Sequence, residues 1–147
     1  MPTYRTGDLW QRQHDLTCIT TNAVITRAGL VMGAGMAKAA SDRYPRLRFL
    51  ASYVIQQQPD PRRYGFLPLP KPLDNLALLQ TKNHFREPSS PELIQHSLEG
   101  LTAYALAHPD KRIALPYPGI GLGRLDPATI APLLEALPAN VTVWRLS

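Results

Sequence analysis

The chain has 147 residues, a formal net charge of +5 and a single cysteine. That length suits one domain, spanning 1–147, with enough chain to bury a core without metal or disulfide staples. Cys18 alone excludes an internal disulfide and a multi-cysteine zinc site, and no apolar run approaches a membrane span. The expectation is a cytoplasmic protein with no membrane contact. Its basic balance points to an anionic ligand. The Lys and Arg residues are scattered, with Arg62-Arg63 and Lys111-Arg112 as the local pairs, which suits phosphate in a pocket better than a long nucleic-acid groove.

In chain order, 4–9 begins as a short strand and ends on Gly7-Asp8-Leu9, a turn that leaves one carboxylate at a strand end. Residues 16–25 are rich in β-branched side chains and predict a buried strand. Cys18 reads there as a core residue rather than a nucleophile. Asn22 interrupts the run, and a buried amide must find hydrogen-bond partners.

The stretch 29–45 carries glycines at 29, 33 and 35, followed by helix formers. Gly33 and Gly35 lack a Cβ, so the backbone there is free to take left-handed angles and a ligand can approach its amides. Met36, Ala37, Ala40 and Tyr44 fall at helical spacing, so the loop opens a helix whose free N–H groups suit a phosphate. A tight turn before an ordinary helix is the plain alternative. Lys38 stands where a dinucleotide fingerprint would place its third glycine, and no Gly-Lys-Ser/Thr follows, so neither a Rossmann finger nor a P-loop is supported. Pro45 stops the helix. Leu47, Leu50, Ala51, Val54 and Ile55 mark a second one ending near Gln58.

Pro59-Asp60-Pro61-Arg62-Arg63 is a proline-stiffened surface turn, and the prolines of 65–72 restrict that run to an edge strand or an irregular arm. Residues 76–81 are a better strand. It runs into Lys82-Asn83-His84-Phe85-Arg86, three potential cations in five residues at a strand end, with a solvated basic loop as the plain alternative. Ser89, Ser90, Pro91 and Glu92 form a helix start with hydroxyl caps and an acidic first turn. Leu93, Ile94, Ser97, Leu98, Leu101, Tyr104 and Ala105 continue it as the longest helix; His96 and His108 lack metal partners at ligand spacing. A strand over 112–115 enters a second glycine loop, Pro116-Tyr117-Pro118-Gly119-Ile120-Gly121-Leu122-Gly123. Asp126-Pro127 opens another helix, Pro132 is expected to break a bond within it, and 141–146 closes as a strand.

Strands and helices interleave, which predicts an α/β sheet between helical layers. Both glycine loops follow strands and precede helices, so they share one sheet edge. Ligands collect beyond strand carboxyl ends in such sheets, and two facing backbone cradles suit a diphosphate.

With those residues in hand, the chain resembles the macrodomain family over nearly its whole length. The resemblance rests on Asn22, the Val31-Met32-Gly33-Ala34-Gly35-Met36-Ala37 loop, Tyr44-Pro45, Leu115-Pro116 and Gly119-Ile120-Gly121-Leu122-Gly123. Gln80-Thr81-Lys82, Arg86 and Ser89-Ser90 look most like the branch of the terminal ADP-ribose glycohydrolase and the bacterial antitoxins that strip ADP-ribose from DNA. The resemblance implies a three-layer α/β/α fold with a mixed central sheet, and ADP-ribose as ligand. It places Asp8 at the adenine amino group, with Leu9, Asn22, Met32, Gly33, Ala34, Gly35, Met36, Pro116, Gly119, Ile120, Gly121, Leu122 and Gly123 around the ligand. Lys82 matches the branch's catalytic lysine. Neither a metal nor a cofactor is implied.

Gly123 occupies the position where the glycohydrolase carries an aspartate, as in the antitoxin type, and Asp126 lies three residues on. The implied function is an ADP-ribosyl hydrolase acting on modified DNA or protein, with an ADP-ribosyltransferase as an expected partner. A non-catalytic ADP-ribose reader and an ADP-ribose 1″-phosphate phosphatase remain alternatives. Lys82 has two routes open: attack on the anomeric carbon as a neutral amine, or stabilisation of a departing anion as an ammonium. The first requires a lowered pKa, which desolvation or a nearby cation such as Arg86 would favour. His84 is a candidate proton shuttle.

Overall fold

Among the described residues, 1–146, the computed structural model has eight strands and four α-helices. They are β1 (Thr3–Thr6), β2 (Leu16–Thr21), β3 (Ile25–Thr26), β4 (Gly29–Leu30), α1 (Gly35–Arg43), α2 (Leu47–Gln56), β5 (Phe66–Pro68), β6 (Leu76–Gln80), α3 (Pro91–Ala107), β7 (Ile113–Pro116), α4 (Pro127–Leu134) and β8 (Val141–Arg145). Six strands form the main sheet in the order β1-β8-β7-β2-β6-β5. Only the β5–β6 pair is antiparallel within it, so the sheet is mixed and the five parallel strands end on one edge.

Alternation along the central strands sends neighbouring side chains to opposite layers. Cys18 and Leu79 join α3 and α4 through Ile94, Leu98, Leu101, Ile130 and Leu134. Ile19 and Leu78 face α1 and α2 through Ala40, Leu47, Ala51 and Ile55. The result is the three-layer α/β/α arrangement, with β2 and β6 buried on both faces. Truncating a fully buried leucine such as Leu78 would cost about 2–5 kcal/mol.

One expectation changes. The strand predicted over 16–25 stops at Thr21, because Asn22 turns the chain: its Oδ1 accepts from Val24 N at 2.9 Å and its Nδ2 donates to Val31 O at 3.0 Å. Ile25–Thr26 and Gly29–Leu30 then pair as a small antiparallel hairpin outside the main sheet. Gly29 is required at its turn, with φ +99° and space so tight that a Cβ would lie 2.6 Å from the Arg48 carbonyl oxygen. Pro132 lies within α4, which continues to Leu134. The helix caps fall as expected, with Ser90 Oγ accepting from Leu93 N and Asp126 Oδ1 from Ala128 N.

Candidate functional site

The carboxyl edge of the sheet gathers Asp8 after β1, Asn22 after β2, Lys82 after β6 and the second glycine loop after β7. The first glycine loop descends from the hairpin into α1. Ala34, the residue before α1, is extended at φ −153° and makes no side-chain cap bond, so the first-turn amides of α1 have no side chain competing for them. Gly35 takes a left-handed φ of +58°; Gly33 does not, and a Cβ at Gly33 would meet nothing within 4 Å. The freedom expected at both glycines is therefore used at one. Gly33, Ala34 and Gly35 are exposed, and Met36 is half-buried. Met32 is buried, as is Leu9. Asn22 is buried with both ends of its amide engaged, and it acts by pinning the glycine loop.

The second loop is a tight turn. Gly119 and Gly121 have φ of +81° and +65°, Leu125 N donates to Gly119 O at 2.9 Å, and Ser89 N donates to Gly123 O at 2.8 Å. Gly119 is packed from below, since a Cβ there would come within 2.7 Å of Ile94 Cδ1. Pro116 and Ile120 are half-buried, while Gly121 and Leu122 face solvent.

Asp8 Oδ1 accepts from Trp10 N at 3.0 Å, closing its own turn. Beside it lies a recess of about 280 Å³ lined by Arg5, Asp8, Gln11, Arg12 and Trp144. Trp144 Nε1 is a buried side-chain polar atom without a partner, alone in this among the described residues.

Lys82 is half-buried, and its backbone is held on both sides. Thr81 N donates to Thr21 O at 3.0 Å, Ala23 N to Asn83 O at 2.9 Å and Ser90 N to Thr81 O at 2.9 Å. Beneath it, the fully buried Gln80 side chain accepts from Gly65 N and donates to Arg62 O at 2.8 Å and Asn83 Oδ1 at 3.0 Å. Tyr64 OH donates to Asn22 O at 2.6 Å and lies 2.5 Å from Thr21 Oγ1. Gln80 and Tyr64 thus tie the Lys82 strand end to the proline turn and to the Asn22 strand end. A glutamine inside an otherwise apolar strand was the available signal for Gln80; Tyr64 carried none.

Burial lowers the Lys82 pKa, and the Arg124 guanidinium lowers it further. The neighbouring cation expected at Arg86 is therefore Arg124. The Arg86 side chain lies over the Phe85 ring instead, 5.7 Å from its centroid. His84 Nδ1 accepts from Arg86 N at 3.1 Å and its ring stacks on Phe85, so one ring nitrogen is committed within its own loop. Beyond Lys82 opens a recess of about 340 Å³ whose lining includes Arg62, Asn83, Glu87, Ser90 and Leu93. Among the described residues, no three His, Cys, Asp or Glu side chains gather to hold a metal ion. No helix there is long and apolar enough to cross a membrane.

A mixed six-stranded sheet between helical layers is the macrodomain arrangement. No family model and no curated sequence matches the chain, but solved structures do. The macrodomain of Thermus aquaticus DarG is 25% identical with a TM-score of 0.72, over 100% of this chain and 98% of that one. That of Mycobacterium tuberculosis DarG is 25% identical with a TM-score of 0.72, over 98% and 97%. Thermosipho africanus DarTG, solved in complex with ADP-ribose, is 21% identical with a TM-score of 0.77; the match covers 98% of this chain but spans 41% of that protein. These likenesses give the chain the macrodomain fold and make it similar to the macrodomains of the DarG branch.

Proposed function

We propose that the protein binds ADP-ribose between its two glycine loops and hydrolyses ADP-ribosyl linkages on DNA or protein. The binding half draws support from the uncapped start of α1, the exposed Gly121 of the second loop, and the ADP-ribose carried by the DarTG relative. The catalytic half is carried by one observation: Lys82 is fixed by the sheet at the same edge, with its amine partly desolvated beside a second cation. Hydrolysis at the anomeric carbon passes through an oxocarbenium-like state. The bond to the leaving group breaks with its electron pair on that group, the water oxygen ends on the anomeric carbon, and its proton ends on the leaving group. In this reading Lys82 assists that step.

A reader without catalysis is favoured by a separate observation. Gly123 offers no carboxylate, and Asp126 is used as the cap of α4. Incubation with ADP-ribosylated DNA, with a carboxylate-modified protein and with ADP-ribose 1″-phosphate separates the readings. Release of ADP-ribose from either macromolecule supports the hydrolase, and phosphate release alone supports the phosphatase. Binding of ADP-ribose with no release from any of the three leaves the reader.

A further inference from the structure

We propose that Arg124 is the second charged residue of the reaction centre, the one through which the second glycine loop acts on the Lys82 amine. Its chemistry rests on the hydrolase reading above; its electrostatics do not.

The first observation is the packing at position 123. A Cβ on Gly123 would overlap the Ser89 hydroxyl and come within 3.1 Å of Ser89 Cβ. The Ser89 backbone is tied to the same glycine, N to O, at 2.8 Å. A side chain at 123 therefore requires the Ser89 hydroxyl to rotate away and the Ser89 Cβ to give by a few tenths of an ångström.

The second is the conformation of the next residue. Among the described residues, Arg124 is the single non-glycine with a left-handed backbone, at φ 63° and ψ 14°. A side chain in that region costs about 1–2 kcal/mol relative to ordinary backbone angles. Glycine would close this turn with less strain, so the turn itself does not call for arginine. The third is where the side chain goes. Arg124 Nη2 donates to Arg86 O at 3.2 Å, carrying the guanidinium from the second glycine loop to the loop that begins with Lys82. It forms no ion pair with a carboxylate among the described residues.

Other charges around Lys82 do not supply this cation. Asp60, Arg62 and Arg63 come from the proline turn, Glu87 from the Lys82 loop and Glu92 from the start of α3. Arg63 is paired with Glu92. Arg86 has its guanidinium over Phe85, and Asp126 sits at the cap of α4. Of these groups, Arg124 is the one that shifts Lys82, in the same direction as burial. A fixed cation disfavours a second positive charge beside it and enlarges the uncharged fraction of the amine. That fraction is the one able to act as nucleophile or proton acceptor. An acidic partner would do the reverse, so Arg124 and a loop aspartate are opposite solutions at one sheet edge.

The test compares Arg124→Gly and Arg124→Lys with the unchanged chain. The chain has four lysines, so the amine of Lys82 can be followed by NMR titration of isotope-labelled protein, with Lys82→Ala for assignment. Arg124→Gly relaxes the turn, so its melting temperature should not fall. Its Lys82 midpoint should move to higher pH, and Arg124→Lys should stay near the unchanged protein. On modified DNA the acid limb of the turnover profile should move the same way, with turnover at neutral pH falling about 3-fold for each half unit of displacement. A Lys82 midpoint unmoved in Arg124→Gly overturns the inference, whatever the activity. A midpoint that moves in a protein that cleaves nothing keeps the Arg124–Lys82 coupling and removes the hydrolase reading instead.

Discussion

Leu122 of the second glycine loop lies over Gly35 of the first: a Cβ added at Gly35 would stand 3.3 Å from Leu122 Cδ1. The two loops meet at this point, above the edge where the five parallel strands end. Two costs of enlarging Gly35 can be separated here. One is backbone strain, since Gly35 has a φ of +58°. The other is contact with Leu122, which is 63% exposed and can swing aside.

Strain should dominate. Gly35→Ala is expected to lose roughly 1 kcal/mol in chemical denaturation, from left-handed geometry alone. The same loss should appear in a Leu122→Ala background, with coupling below about 0.5 kcal/mol. A larger coupling would mean that Leu122 is held rigidly over the first loop.

Gly33 offers a cleaner probe of the cleft. It has no left-handed angle, and nothing lies within 4 Å of its built Cβ. Gly33→Ala should therefore keep the melting temperature of the unchanged protein. If the diphosphate approaches the loop at Gly33, the same methyl group should weaken ADP-ribose binding at least ~10-fold, or roughly 1.4 kcal/mol. Calorimetry giving equal affinity would move the diphosphate away from this glycine. Gly121 is less suited to the purpose, because its φ of +65° mixes strain into any substitution.

What was legible in the sequence was local. Ser90 and Asp126 cap their helices because capping needs a side chain and an amide two or three residues apart. Gly35 and Lys82 share an edge because strands and helices alternate, which fixes the direction of the parallel strands. The illegible parts join distant segments. Asn22 visibly interrupts its run and its Oδ1 bond to Val24 N is local, but spacing does not announce that its Nδ2 reaches Val31 O, nine residues on, across the hairpin. Ser89 filling the space beside Gly123 depends on how the α3 start packs against the second loop. Arg86 is near Lys82 in sequence, but it is Arg124 that reaches the Lys82 loop through the tertiary fold, at Arg86 O, and the Arg86 side chain turns to Phe85. Spacing along the chain carries no record of such choices.

Asp8 has a local bond that complicates the usual alanine test. Its carboxylate accepts from Trp10 N at 3.0 Å, and losing that acceptor costs on the order of 1 kcal/mol. Asn keeps an oxygen for the turn while removing the charge. Asp8→Asn should hold its stability, and it should lose affinity for ADP-ribose but not for ribose 5-phosphate if Asp8 reads the adenine amino group. Equal losses for both ligands would make the residue a turn-former only.

Lys82 separates enzyme from reader, and its stability effect must be cleared first. Its folded-state pKa is lowered, chiefly by burial and then by Arg124. Between that value and the ordinary lysine value, the unfolded chain binds more protons than the folded one, so stability rises with pH across the alkaline window. Below the window, the folded protein carries the cost of a hindered ammonium. Lys82→Met should consequently lose no stability at neutral pH and should flatten the alkaline rise; a clear drop in melting temperature would mean that the lysine is structural. With the fold intact, a binding lysine and a catalytic one diverge. A binding lysine would raise the dissociation constant of free ADP-ribose when removed. A catalytic lysine acts in the transition state, so its loss lowers turnover far more than ground-state affinity. The expectation is that Lys82→Ala binds ADP-ribose within a few-fold of the unchanged protein but releases it from modified DNA at least ~100-fold more slowly. Lys82→Arg should fail as well, because a guanidinium stays protonated and cannot attack or accept a proton. An active arginine variant would rule out the neutral-amine route and leave charge stabilisation as the role of the residue.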